Sequence, residues 1–297
     1  MNKCIYKLSP IVKDAIWGGK NIFEIEGNCS QTVAELWEYV NLPQESNTII
    51  GFDDQVVLSE VIEKSELPIV VKIINAKHDL SLQVHPDKSE VLLVLDAASD
   101  ARVATWGGLD DLDLLKNYIN SNSVVESLNY YYVKKGDILY LPAGVVHAIG
   151  GGILALEVQN PKLTTYRMFD YNRKINGKVR ELHIDEALKS IKTESQAALM
   201  NCNVFNRKGL SKVFSCEYYD VYVLNMCKES ISFSNPRFPA SVVCVAGEGK
   251  INNKKVGFPD SFVCLSSASR TFVNCENSFS LVFSTAHSND NEIILVD

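Results

Sequence analysis

The chain has 297 residues, 46% of them hydrophobic and 22% charged, with a formal net charge of −7. This is ordinary globular composition over a length that accommodates one large domain or two moderate ones. The negative balance argues against a nucleic-acid surface, which needs clustered positive charge, but leaves a small anionic substrate open, because a few local Lys or Arg residues outweigh the global field.

From the N-terminus, MNKCIYKLSPIVKD has no apolar signal core and no later run approaches the length of a membrane span, so a cytoplasmic location is expected. Residues 1–60 alternate short strand-like pieces, such as TVAELWEYV, with Gly, Asn and Pro. VLSEVIEKS (57–65) carries apolar residues at helical spacing and predicts a short helix. LPIVVKIINA (67–76) predicts a buried strand. GLDDLDLLKNYINS (108–121) has an acidic first turn and helical leucine spacing, and HIDEALKSIK (183–192) predicts a second helix. From about residue 203 the chain is almost wholly strand-like. Eight cysteines form no C-x-x-C pair, and several sit in apolar runs such as SVVCVAG, so buried reduced thiols are expected rather than a thiolate metal site. Many short strands with a few helices predict a mainly β protein built on jelly-roll barrels.

SLQVHPDKSEVLLVLDA (81–97) interrupts this pattern with polar residues. Gln83 and His85 stand two apart and share a face if the segment is extended. A turn over Pro86–Ser89 predicts a hairpin in which Glu90 stands opposite His85, close enough for one metal to bind both. The second polar motif is GDILYLPAGVVHAIGGG, where Gly136, Pro142, Gly144 and His147 follow the spacing G-x5-P-x-G-x2-H. A Pro/Gly corner there leads into a strand that opens on His147. Nitrogen and oxygen donors of this kind suit Zn²⁺ and also admit Mn²⁺, Fe²⁺ or Co²⁺. His78, His183 and His287 sit in no such framework.

The pair Q-x-H-x4-E and G-x5-P-x-G-x2-H resembles the paired motifs of the cupin superfamily, whose residues converge inside a small barrel on a divalent metal. More specifically, the chain resembles the short bacterial type I mannose-6-phosphate isomerases. LSPIVKDAIWGG (8–19), AELWEY (34–39), LPIVVKIINAKHDLSLQVHPD (67–87), KKGDILYLPAGVVHAIGGGILALEVQ (134–159), TTYRMFDYNR (164–173) and VRELHIDEAL (179–188) carry the likeness. It implies a metal-binding cupin catalytic domain over 1–200 with helical decoration, and a cupin-like β module over 201–297 without metal ligands. It also implies one Zn²⁺ held by His85, Glu90 and His147 with Gln83 as a fourth ligand, Arg167 and Glu157 as catalytic residues, and Lys88 and Ser81 against the substrate. The activity implied is interconversion of mannose 6-phosphate and fructose 6-phosphate through an enediol-type proton transfer, with no nucleic-acid or membrane partner.

Two departures bear on that expectation. The turn HPDKSE is shorter than the family's usual loop, and Leu163 stands where the family usually carries an acid. Both allow a catalytically weak relative that binds a sugar phosphate. An Fe²⁺-dependent cupin oxygenase fits the ligands but not the extent of the likeness, and no Gly-rich phosphate loop supports a nucleotidyl-transfer domain.

Overall fold

The computed structural model describes residues 5–23, 31–51, 56–107, 111–234, 239–265, 271–288 and 293–296. Strands dominate it, and the described residues form two α-helices, Leu112–Asn120 and Ile184–Ser190. The first begins where Asp111 accepts a capping hydrogen bond from the Leu114 N–H at 2.8 Å; residues 108–110 of the predicted helix lie outside the described residues. The helix expected over 57–65 is instead a single 3₁₀ turn, Leu58–Glu60. Val57 offers that turn no capping side chain, and one turn is too short to offset helix nucleation, so Leu58 and Ile62 reach the core from a loop.

Strand alternation builds the fold in layers. A seven-stranded antiparallel sheet runs in the order Ile11–Lys13, Glu35–Tyr39, Val70–Ala76, Ile153–Gln159, Glu90–Ala97, Ile138–Leu141, Ala198–Met200. On one face, Leu36, Val71, Ile73, Leu156, Val158, Val91, Leu93 and Ile138 join Tyr219, Val221, Val243 and Val282 of the C-terminal segment in a single core. The alternate residues face the other way. Ile74, Ala155, Leu92, Val94 and Leu139 pack there with Val103 and Ile149. A strand buried on both faces reads as a continuous apolar run, and VVKIINA and ILALEVQ do so with few exceptions.

Val103 and Ile149 belong to a five-stranded sheet in the order Leu128–Tyr132, Arg102–Trp106, His147–Ile149, Leu82–Val84, Tyr166–Phe169. Its outer residues, among them Leu82, Val84, Ala104 and Met168, pack against Leu115, Ile119 and Ala187 of the two helices. The two sheets thus face each other as a jelly-roll, cupin-type barrel with helices over one side. The third sheet collects the C-terminal strands, and the N-terminal strand Ile5–Ser9 joins it by pairing with Ser261–Cys264. Behind that sheet, Phe233, Val273, Phe279 and Phe283 fill a second core. The six described cysteines are free thiols, with Cys244, Cys264 and Cys275 buried in this core; Cys4 and Cys29 lie outside the described residues. No described helix is long and apolar enough to cross a membrane.

Candidate active site and metal centre

A group of polar exceptions to the layered pattern falls on the facing sides of the two barrel sheets. Lys72 stands opposite Glu157, and Glu90 opposite Gln159, on the seven-stranded sheet. Across the barrel, Gln83 pairs on one side with His147 and on the other with Arg167. Buried polar groups cost free energy unless paired, so their convergence in one place marks a site.

His85 and Glu90 do meet, but not through the predicted hairpin. Leu82–Val84 pairs only within the five-stranded sheet and Glu90–Ala97 only within the seven-stranded one. HPDKS therefore carries the chain from one sheet to the facing one, and the two side chains approach across the barrel interior. Asn160 holds this crossing at both ends, accepting from the Ser89 N–H at 2.7 Å and donating to the Asp87 carbonyl at 2.8 Å. The Gly144 N–H donates to the His85 carbonyl at 2.8 Å, tying the second motif to the first. Gly144 sits at φ +88°, a conformation that favours glycine at this corner.

Glu90, His85 and His147 are buried, and their donor atoms lie within 4.8 Å of one another. His147 Nε2 is 3.0 Å from Glu90 Oε1, and His85 Nε2 is 3.6 Å from Glu90 Oε2. Each imidazole commits its Nδ1 to a backbone carbonyl, His85 to Thr164 at 2.9 Å and His147 to Val145 at 3.0 Å. Donation from Nδ1 leaves the Nε2 lone pairs free, and both are turned inward. Neither Glu90 oxygen nor His147 Nε2 has a well-angled hydrogen bond. Two inward lone pairs beside a buried, ionised carboxylate fit a borderline divalent cation bound by nitrogen and oxygen.

Burial disfavours the charged form of Glu90, but Lys88, His85 and His147 outweigh it and hold the carboxyl well below the usual range. Burial, followed by the Lys88 charge, keeps His85 well below the usual imidazole value and hence neutral, as ligation requires. Gln83 turns its Nε2 toward His85 Nε2 at 3.5 Å, while its Oε1 accepts from Ser81 Oγ at 3.4 Å. A fourth-ligand role needs the amide rotated so that Oε1 faces the cluster. Lys88 is buried, 2.5 Å from Glu90 Oε2.

A cavity of about 260 Å³ opens beside this cluster, lined by Ser81, Gln83, Lys88, Glu157 and Arg167. Glu157 is paired with Lys72 at 3.2 Å. Burial pushes its carboxyl up from the ordinary range; Lys72 opposes the rise, and Glu90 and Glu35 add to it. Lys72 is raised, because Glu157, Glu35 and Glu90 outweigh its burial. Arg167 donates from Nη1 to the Glu181 carbonyl at 3.0 Å, and its buried Nε has no partner. Leu163 packs with Trp37, Val40 and Val70, away from the cavity wall.

Comparison with known proteins gives the family. The family model "Phosphomannose isomerase type I, catalytic domain" matches residues 5–102. Mannose-6-phosphate isomerase ManA of Bacillus subtilis is 30% identical over 280 residues, spanning 84% of this chain and 88% of that protein. The chain belongs to the type I phosphomannose isomerase family. Mannose-6-phosphate isomerase of Streptococcus mutans is 31% identical over 199 residues, 58% of this chain and 63% of that one. Among solved structures, the mannose 6-phosphate isomerase from Bacillus subtilis shares the fold with a TM-score of 0.78 at 21% identity, over 95% of this chain and 99% of that chain. A mannose 6-phosphate isomerase bound with zinc and yttrium has a TM-score of 0.67 at 16% identity, over 95% and 100% of the two chains.

In this phosphomannose isomerase relative the sequence reading missed three residues that line the same cavity, Lys72, Glu35 and Arg180. Lys72 had a visible signal, being the one charge inside the apolar run LPIVVKIINA. Glu35 and Arg180 had none, since their place depends on strands far away in sequence.

Proposed function

We propose that the chain interconverts mannose 6-phosphate and fructose 6-phosphate as a zinc-dependent aldose–ketose isomerase. The observation that carries this reading is the convergence of His85, Glu90 and His147 beside a cavity that also holds a buried carboxylate and a guanidinium. His85, Glu90 and His147, with Gln83 as fourth ligand, would hold Zn²⁺, whose Lewis acidity stabilises developing negative charge on a substrate oxygen.

The chain's own groups supply the remaining chemistry. Aldose–ketose exchange moves a proton between C1 and C2, and Glu157 is the group assigned to carry it. Its raised pKa suits a carboxylate that must accept and return a proton. Lys72 remains protonated at 3.2 Å and fixes the carboxylate's position. Arg167, half-buried with Nε unspent, faces the enediol oxygens as a permanent cation. Lys88 balances Glu90 and borders the sugar, and Ser81 orients the Gln83 amide.

The weak-relative alternative rested on Leu163 and the short turn. Leu163 packs outside the cavity and the turn still delivers Glu90, so neither observation favours it. The test is turnover of mannose 6-phosphate by purified protein before chelation, after chelation, and after zinc is restored. Loss and recovery support the reading. No turnover from folded, zinc-loaded protein contradicts it.

A further inference from the structure

The cavity has two chemically different ends. At the inner end, beside the metal-ligand cluster, each lysine is matched to a carboxylate: Lys88 to Glu90 at 2.5 Å and Lys72 to Glu157 at 3.2 Å. These ammonium groups are buried and already neutralised, so they offer little net charge to a second anion. The other end is built differently. Asp170, its side chain 4% exposed, takes two arginines at once. Arg173 donates to it from Nη2 and is spent further on the carbonyls of Asp170 and Asp79. Arg180 approaches it side-on, Nε to Oδ2 at 2.7 Å and Nη2 to Oδ1 at 2.5 Å.

That bidentate grip fixes the plane of the Arg180 guanidinium and leaves Nη1 unspent among its described bonds. Arg180 is 19% exposed, lines the cavity with Arg167, and also lines the neighbouring surface cleft with Asp170 and Arg173. Two arginines on one aspartate leave this end positive, and the Arg180 charge is near enough to Arg167 to add to the burial that lowers the latter's pKa. The chain reaches Arg180 from a two-residue hairpin, Lys174–Ile175 to Lys178–Val179, turned by Asn176 (φ +50°) and Gly177 (φ +80°). The arginine therefore stands on the first residue after the second strand of a defined β-hairpin.

We infer that Arg180, clamped by Asp170, is the anchor for the phosphate of a hexose 6-phosphate, placing that group at the outer end of the cavity while C1 and C2 lie against the metal-ligand cluster. This rests on the sugar-phosphate reading above and assigns the end of the substrate that does not react. C1 and C6 are opposite ends of a hexose, so a substrate whose reacting carbons lie inward carries its phosphate outward. A guanidinium held rigid by one carboxylate matches a phosphate's geometry and adds charge-assisted hydrogen bonds there.

The test compares wild type with Arg180→Met and Arg180→Lys, each checked for zinc content and melting temperature. Arg180→Met should raise KM for mannose 6-phosphate about ten- to a hundredfold, the loss expected for one or two charged hydrogen bonds, and move kcat by less than about threefold. Arg180→Lys keeps charge without the fork and should fall between; it decides the matter if the Met variant does not fold. A ³¹P NMR titration with mannose 6-phosphate reads phosphate binding whether or not the sugar turns over. A tenfold weaker response in Arg180→Met supports the anchor even if the wild type proves not to be an isomerase. Normal turnover with unchanged KM in both variants overturns the anchor and leaves the isomerase reading standing. So does a loss confined to kcat, and a wild type that leaves the ³¹P signal unmoved overturns the anchor as well.

Discussion

Replacing Lys72 with Met preserves side-chain length and removes the ammonium 3.2 Å from Glu157. The two side chains are 8% and 4% exposed, so water does not screen the pair. Removing one partner of a buried ion pair costs about 3–5 kcal/mol, because the other is left charged and unmatched or must take up a proton. The pH dependence identifies which group is left. Burial already raises Glu157, and Lys72 is the leading opposition to that rise, so its loss raises the carboxyl further. A carboxyl whose folded pKa exceeds its unfolded value favours folding fully below about pH 4, and this is lost as pH climbs toward the folded value. The penalty in Lys72→Met should therefore be smaller near pH 5 than near pH 8. Urea denaturation of metal-free protein at both pH values measures this, together with Glu157→Gln and the double variant. The double variant should recover more than about 1 kcal/mol relative to the sum of the singles. A penalty equal at both pH values and additive with Glu157→Gln would refute the ion-pair account. It would leave Lys72 as a packing residue, through its position 5.0 Å from the Trp37 ring centre.

Metal analysis should find zinc lost from His85→Ala and from His147→Ala, whereas Arg167→Ala retains it and loses about a hundredfold in kcat; full zinc stoichiometry in both histidine variants would contradict the ligand assignment. Asn160→Ala removes both ties on the Asp87–Ser89 crossing and should cost about 1–3 kcal/mol while weakening zinc affinity, measured by urea melts and zinc titration. Glu38, buried beside Ser261 at the junction of the sheets, has its carboxyl pushed up by burial to about 8. Stability should accordingly fall as pH rises from the unfolded carboxyl's range toward about 8. Glu38→Gln should flatten that slope and be the more stable protein at pH 8 by roughly 3 kcal/mol, with identical slopes in urea melts refuting the assignment.

The three candidate metal donors were legible in the sequence because they stand in local motifs: His85, Glu90 and His147 are flanked by Pro and Gly corners, and the structure brings the three together. The jelly-roll class and both helices were legible from periodicity. The hairpin was not. HPDKSE reads alike whether it closes two neighbouring strands or crosses a barrel, and what decides is pairing with His147–Ile149, Tyr166–Phe169 and Ile153–Gln159, all distant in sequence. Lys72 was visible as a misplaced charge, but its partner Glu157 is set by strand register. The place of Leu163 was not legible either: sequence proximity to TTYR does not fix a side chain's surroundings, and Leu163 packs into the Trp37 cluster.

The layers also show what the C-terminal sheet contributes to the site. The seven-stranded sheet carries Lys72, Glu90, Glu157 and Gln159 on one face, and these groups lose free energy unless they are held in register with partners. Register is strongly specified when the opposite face is buried, because a one-residue slip would exchange every apolar residue for a polar one. The C-terminal sheet supplies that burial through Tyr219, Val221, Val243 and Val282. It also reaches the site directly: the Tyr219 hydroxyl, fully buried, donates to the Ser89 carbonyl at 3.4 Å, on the residue immediately before Glu90. The C-terminal sheet thus bears on the candidate metal centre by fixing the strand and the turn that present its carboxylate.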